Sequence, residues 1–121
     1  MQDYRKLLVW QKAHKLVIDI YVITKGFPKD ELYGVTSQLR RAAVSIAANI
    51  VEGAGRKTKP DFARFLTMSL GSTNEVEYFL VLSKDLDYLK SEKYELLNNQ
   101  LIEVRKMLLS LERTISSDSD S

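Results

Sequence analysis

The chain has 121 residues and a mass of 13.9 kDa, enough for one domain with a real core, and it is 45% hydrophobic and 28% charged. It has no cysteine and one histidine, His14, which excludes a disulfide framework, a thiolate zinc site, cysteine catalysis and a multi-histidine metal site within one chain. The net charge is only +2, no apolar run approaches the roughly 18 residues of a membrane span, and charges run through the first twenty residues, unlike a signal peptide; a cytoplasmic protein is expected.

The first periodic stretch places Val9, Ala13, Leu16, Val17, Ile20 and Thr24 at steps of three and four, one face of a helix over about 8–25. Gly26 and Pro28 end it, and Pro28 to Gly34 reads as a connector with room for a helical turn. A second helix is predicted over about 36–54, with Thr36 or Ser37 as its N-cap and Gly53 and Gly55 as C-terminal caps. The third, over about 59–87, has the cleanest start: Thr58 precedes Asp61 by three residues, a capping-box variant, and Pro60 is tolerated in a first turn. Ser91 caps a fourth helix over about 92–115, in which Leu97, Leu101, Val104, Leu108, Leu111 and Ile115 repeat every three or four residues. No strand alternation appears and the turns are short. The fold class is all-α, an antiparallel up-down-up-down four-helix bundle spanning residues 1–115. Leu16, Ile20, Leu39, Ile46, Phe65, Leu66, Val76, Leu101, Val104 and Leu108 form its expected core, and the Ser-Asp tail 116–121 is expected to be disordered.

Charge is divided unevenly: residues 1–64 carry 12 Lys and Arg against 6 Asp and Glu, whereas residues 65–121 carry 6 against 10. A polarised surface of this kind favours contacts between copies or with a charged partner. The second helix is rich in small residues (Ala42, Ala43, Ala47, Ala48), and the third answers with Ser69, Gly71, Ser72 and Thr73. Glycine inside a helix costs about 1 kcal/mol relative to alanine, so Gly71 suggests close packing, either inside one subunit or against another copy. Arg41, Ser45, Ala48 and Glu52 form a stripe on one face of the second helix, and on the third Ser72 and Glu75 lie one turn apart. Two readings are open: a polar network at an interface, with Arg41 paired to Glu75 or Glu52, or a solvated helix face.

Catalysis finds no footing. His14 has no Glu-x-x-His partner for a dimetal bundle and reads as a surface or partly packed residue. Glu75 and Glu77 point to different faces, and Gly53-Ala54-Gly55 is too short to cradle a phosphate. No serine has a histidine base with a supporting acid, so no enzyme and no cofactor are expected. The N-terminus, the turn between helices two and three, and the C-terminus share one end of such a bundle. That end gathers Arg5, Lys6, Arg56, Lys57, Lys59 and Arg64 against Asp3, Glu52 and Asp61, a candidate nucleic-acid-binding rim, with Arg40 and Lys12 next in line and Asp118 and Asp120 able to reach back and screen it.

Val9-Trp10-Gln11-Lys12-Ala13, Tyr33-Gly34, the run QLRRAAVSIAANIVEG from Gln38 to Gly53, Arg56, and Gly71-Ser72 with Glu75 resemble the bacterial four-helix-bundle proteins encoded in 23S rRNA intervening sequences. The likeness extends to about Leu89 and departs at Val51, where such proteins commonly carry alanine. It implies a ring-like homo-oligomer, a pentamer, and kinship with accessory proteins of diversity-generating retroelements, which bind a reverse transcriptase and nucleic acid. The expected function is RNA association through the basic rim; the alternative is a protein-binding scaffold or adaptor without RNA contact.

Overall fold

The structure, a computed structural model, describes the backbone of residues 2–120 and the side chains of residues 2–117. Four helices, α1 (Leu8–Thr24), α2 (Val35–Ala54), α3 (Lys59–Asp85) and α4 (Ser91–Asp120), account for most of it, and no strand occurs among the described residues. Helices consecutive in sequence pack together and α4 closes back onto α1, which is the up-down-up-down bundle. All ten expected core residues are buried, joined by Leu97, Ile50, Leu80 and Ile115. Each fully buried Leu or Ile contributes about 1.5–3 kcal/mol by leaving water.

Helix ends show how local chemistry sets the frame. Thr58 Oγ1 accepts the Asp61 N–H at 3.3 Å, the cap expected for α3. The far end of α3 closes with Asp87 in the left-handed region (φ 63°), where the Tyr88 N–H reaches Ser83 O at 2.9 Å and the Asp87 N–H reaches Lys84 O at 3.0 Å. That is a Schellman closure with aspartate in the place glycine usually takes. The connector contains a 3₁₀ turn at Lys29–Glu31, within the stretch expected to hold a helical turn.

Three boundary expectations need correction. α2 begins at Val35, with Gly34 as N-cap and no hydroxyl cap, and Thr36 lies buried inside the helix. The reason is Glu31: its carboxylate accepts the Val35 N–H at 3.4 Å, supplying from the preceding turn what Thr36 or Ser37 would have supplied. Gly53 is not a cap but an interior contact. A Cβ there would lie 2.8 Å from Phe62 Cδ1 and 2.9 Å from Phe65 Cβ, so its missing side chain lets α2 and α3 approach; Gly55 alone occupies the C-cap. Finally, α4 does not end near 115 but runs on as helical backbone to Asp120, with the Ser116 hydroxyl donating to Glu112 Oε1 at 2.9 Å. An existing helix extends by one hydrogen bond per added residue and needs no apolar face to do so.

Candidate nucleic-acid interface

The N-terminal segment is tied to the end of α2 by the Gln2 N–H, which donates to Ala54 O at 2.8 Å. A 3₁₀ turn at Tyr4–Lys6 follows, capped by Asp3, whose Oδ1 accepts the Arg5 N–H at 3.1 Å. The start of α1 and the last turns of α4 flank an apolar groove of about 310 Å³, lined by Leu7, Leu8, Val9, Met107 and Leu111 among others. The topology therefore brings the six expected cations, Arg5, Lys6, Arg56, Lys57, Lys59 and Arg64, to one end of the bundle. Arg113 in the last turns of α4 adds a seventh that sequence reasoning passed over; its position near the end of a helix antiparallel to α1 was the available signal.

These cations are not equivalent. Arg56 and Arg64 sit over the Phe65 ring at 4.5 and 4.7 Å, and each also holds a neighbouring carboxylate: Glu52 at 3.3 Å and Asp61 at 3.1 Å. Stacking and pairing fix the direction of both guanidinium groups, at a partly exposed site where such pairs contribute little to stability. Lys6 and Lys57 are exposed and have no ion pair among the described residues. Arg5 lies over the Tyr4 ring at 5.5 Å. Arg40, the reserve candidate, is at the opposite end, held by Thr24 Oγ1 at 2.9 Å over the Tyr21 ring at 4.7 Å; Lys12 pairs with Glu103 at 3.2 Å on α4. The side chains of Asp118 and Asp120 lie outside the described ones.

The polar seam is brought together only in part. Ser72 Oγ donates to Ser45 Oγ at 2.8 Å, Asn49 Nδ2 donates to the same oxygen at 3.1 Å, and the buried Ser69 hydroxyl donates to Ile46 O at 2.7 Å. Glu52 is engaged by Arg56, and Arg41 does not pair with it. Arg41 and Glu75 are exposed, and neither has a partner among the described residues. The Ser45–Ser72 bond places them level with each other, one turn along the outer edge of α2 and α3. Gly71 also changes meaning: it is exposed, with nothing within 4 Å of a Cβ built there, so packing inside the subunit does not account for it.

Two clusters escaped the sequence reading. Arg105 on α4 binds Glu77 at 3.2 Å, Asn74 at 3.3 Å and Thr73 at 3.3 Å on α3, which puts Glu77 on the α4 side, away from Glu75. Asp19 accepts from Lys15 at 2.8 Å and Gln100 at 2.9 Å. Partial burial pushes the Asp19 carboxyl up, but these two hydrogen bonds outweigh it and hold it below the ordinary carboxylate value. Among the described residues no three His, Asp or Glu side chains converge as metal ligands, and no helix is long and apolar enough to cross a membrane.

The family model for 23S rRNA-intervening sequence protein matches residues 5–110. The chain belongs to that family. A solved structure from Bacteroides thetaiotaomicron, described as a protein with unknown function from the S23 ribosomal protein family, is similar at 30% identity and a TM-score of 0.81. The match covers 87% of this chain and 98% of that one. No curated protein matches the chain. Membership in the 23S rRNA-intervening sequence protein family thus agrees with the likeness carried by the helix-two run, and the match reaches well into α4.

Proposed function

We propose that this member of the 23S rRNA-intervening sequence protein family is a non-enzymatic, cytoplasmic homo-oligomer that associates with RNA through its basic end. The observation that carries this reading is the convergence of Arg5, Lys6, Arg56, Lys57, Lys59 and Arg64 from separate segments onto one end, with Lys6 and Lys57 unpaired among the described residues. Self-association is supported by Arg41 and Glu75, which lie level on the exposed α2–α3 edge without a partner among the described residues, and by Gly71 on the outer, α4-bordering side of α3, which has no packing reason within the described residues. A ring of such subunits, a pentamer in the resemblance, repeats the basic end around one rim, so that weak sites act together. A reverse transcriptase is the protein partner the same resemblance suggests.

The test is RNA affinity against salt. About six phosphate contacts per subunit give a slope near −4 in log affinity against log salt. Reversal of Arg56, Lys57 and Lys59 to glutamate should abolish binding while leaving the oligomer's mass unchanged. Failure of the unmutated protein to bind RNA even at low salt would favour the adaptor reading, for which the exposed Leu32–Tyr33 pair beside the α1–α2 turn is the best surface.

A further inference from the structure

The basic end continues into a ladder of aromatic rings. Tyr4, in the 3₁₀ turn, meets Trp10 edge-on with centroids 5.0 Å apart and planes at 72°. Trp10 then stacks face to face on His14, with centroids 4.9 Å apart and planes within 11°. Tyr4 and Trp10 pack against the core from its edge, and His14 extends the stack outward from it. α1 buries Val9, Ala13, Leu16, Val17, Ile20 and Thr24, while Trp10 is half-buried and His14 is exposed. Neither the indole N–H nor either imidazole nitrogen has a hydrogen-bond partner among the described residues, and no other ring covers the outward face of His14.

The surroundings carry a sign. The ladder lies on the edge of α1 that faces α2, the edge on which Tyr21 meets Arg40. The carboxylates nearest α1, Asp19 and Glu103, are held by lysines on its α4-facing edge. At the foot of the ladder, Asp3 is occupied as a cap, and the Gln2–Ala54 bond brings the Arg56–Lys57 turn to the same end as Arg5 and Lys6. An exposed imidazole stacked on a half-buried indole, beside fixed and free cations, suits a polyanion whose bases are unpaired. In a duplex the base faces are consumed by neighbouring pairs, whereas in a single strand each base can add to an aromatic stack.

We infer that the Tyr4–Trp10–His14 ladder is a stacking platform for an unpaired stretch of RNA, the outer face of His14 receiving a base while Arg5, Lys6, Arg56 and Lys57 hold the flanking phosphates. This rests on the RNA reading above and narrows its ligand to RNA with a single-stranded segment. Trp10 is the only tryptophan, so its emission reports on the platform directly. The experiment titrates the full chain with a uridine oligomer and with a blunt RNA duplex of the same length, following tryptophan emission and the anisotropy of labelled RNA. The oligomer should quench Trp10 and bind more tightly than the duplex. His14→Ala should weaken oligomer binding by roughly 5-fold or more, the scale of one lost base stack, without altering duplex binding or subunit mass, and His14→Phe should restore it. Equal affinity for both RNAs with no change in Trp10 emission would overturn the platform and leave RNA binding by the rim intact. Binding of neither RNA would overturn both. Emission that responds only to protein concentration would show a second copy covering the ladder, and would also overturn the inference.

Discussion

The bundle joins its helices in two different ways. Between α2 and α3 the contact is made by small groups: Gly53 admits Phe62 and Phe65, Ser69 donates to the Ile46 carbonyl, and Ser72 donates to Ser45. Between α1 and α4 the outer contact is made by long polar groups: Lys12 reaches Glu103, and Gln100 reaches Asp19, which Lys15 also holds from within α1. Small groups allow close approach and satisfy their polar atoms inside the seam, leaving nothing to reach around its rim. Long groups span the α1–α4 rim and satisfy one another in place. The consequence is a functional asymmetry. The charges bordering α1–α4 are spent within the chain, whereas Arg41 and Glu75, bordering α2–α3, remain available to another molecule.

The largest expected effects are in the buried parts of the two contacts. Leu101→Ala on α4 should cost about 2–5 kcal/mol in chemical denaturation, through lost burial and a cavity that the neighbouring helices fill poorly. Gly53→Ala should cost about 1–3 kcal/mol, because the added methyl meets Phe62 and the Phe65 Cβ and must push α3 away. If Gly53→Ala proved neutral, the close approach of α2 and α3 would not depend on that glycine.

Gly71→Ala probes the outer side of α3, where it borders α4. In the single chain it should stabilise α3 by up to about 1 kcal/mol, since the methyl meets nothing and alanine is the better helix former. In the assembled protein the same change should weaken association if another copy lies against Gly71. Opposite signs in subunit denaturation and in the dissociation constant would extend the interface across the outer side of α3; gains in both would confine it to the α2–α3 edge or move it elsewhere.

The α1–α4 rim should respond to acid where the α2–α3 seam does not. Asp19 is held below its ordinary pKa in the folded chain, so its contribution is present above the unfolded carboxyl value and is lost as pH falls through the folded one. Asp19→Asn should flatten the part of the stability–pH curve that lies below the unfolded carboxyl value, and Ser72→Ala should leave its shape unchanged. The exposed Lys12–Glu103 pair should show the smallest effect, a coupling of about 0.2–1 kcal/mol in a double-mutant cycle.

Much of this frame was legible in sequence because it is local. The Thr58–Asp61 cap and the Leu97 to Leu108 stripe each depend on residues a turn or two apart, and both stand where the spacing put them. Glycine was the recurrent ambiguity. Gly53 read as punctuation and Gly71 as close packing, and the neighbouring helix reverses the two: Phe62 and Phe65 crowd the first, and nothing approaches the second. The start of α2 was misplaced because its cap comes from Glu31, four residues upstream of the N–H it receives. Of the candidate site, the gathering of cations at one end followed from topology. The placing of Arg56 and Arg64 over the Phe65 ring, and the Arg105 network across 28 to 32 positions, depend on side-chain directions that spacing does not encode. The Trp10–His14 stack did leave a trace, its separation of four residues along α1.

If the unpaired α2–α3 face joins copies of the chain, so that the basic ends act as one rim, light scattering at micromolar concentration should separate the unmutated protein from Arg41→Glu. The unmutated protein should give a single species at a multiple of 13.9 kDa, five-fold in the ring reading, that falls toward the subunit mass in the variant and recovers when Glu75→Arg is added. A 13.9 kDa species from the unmutated protein would contradict that joining.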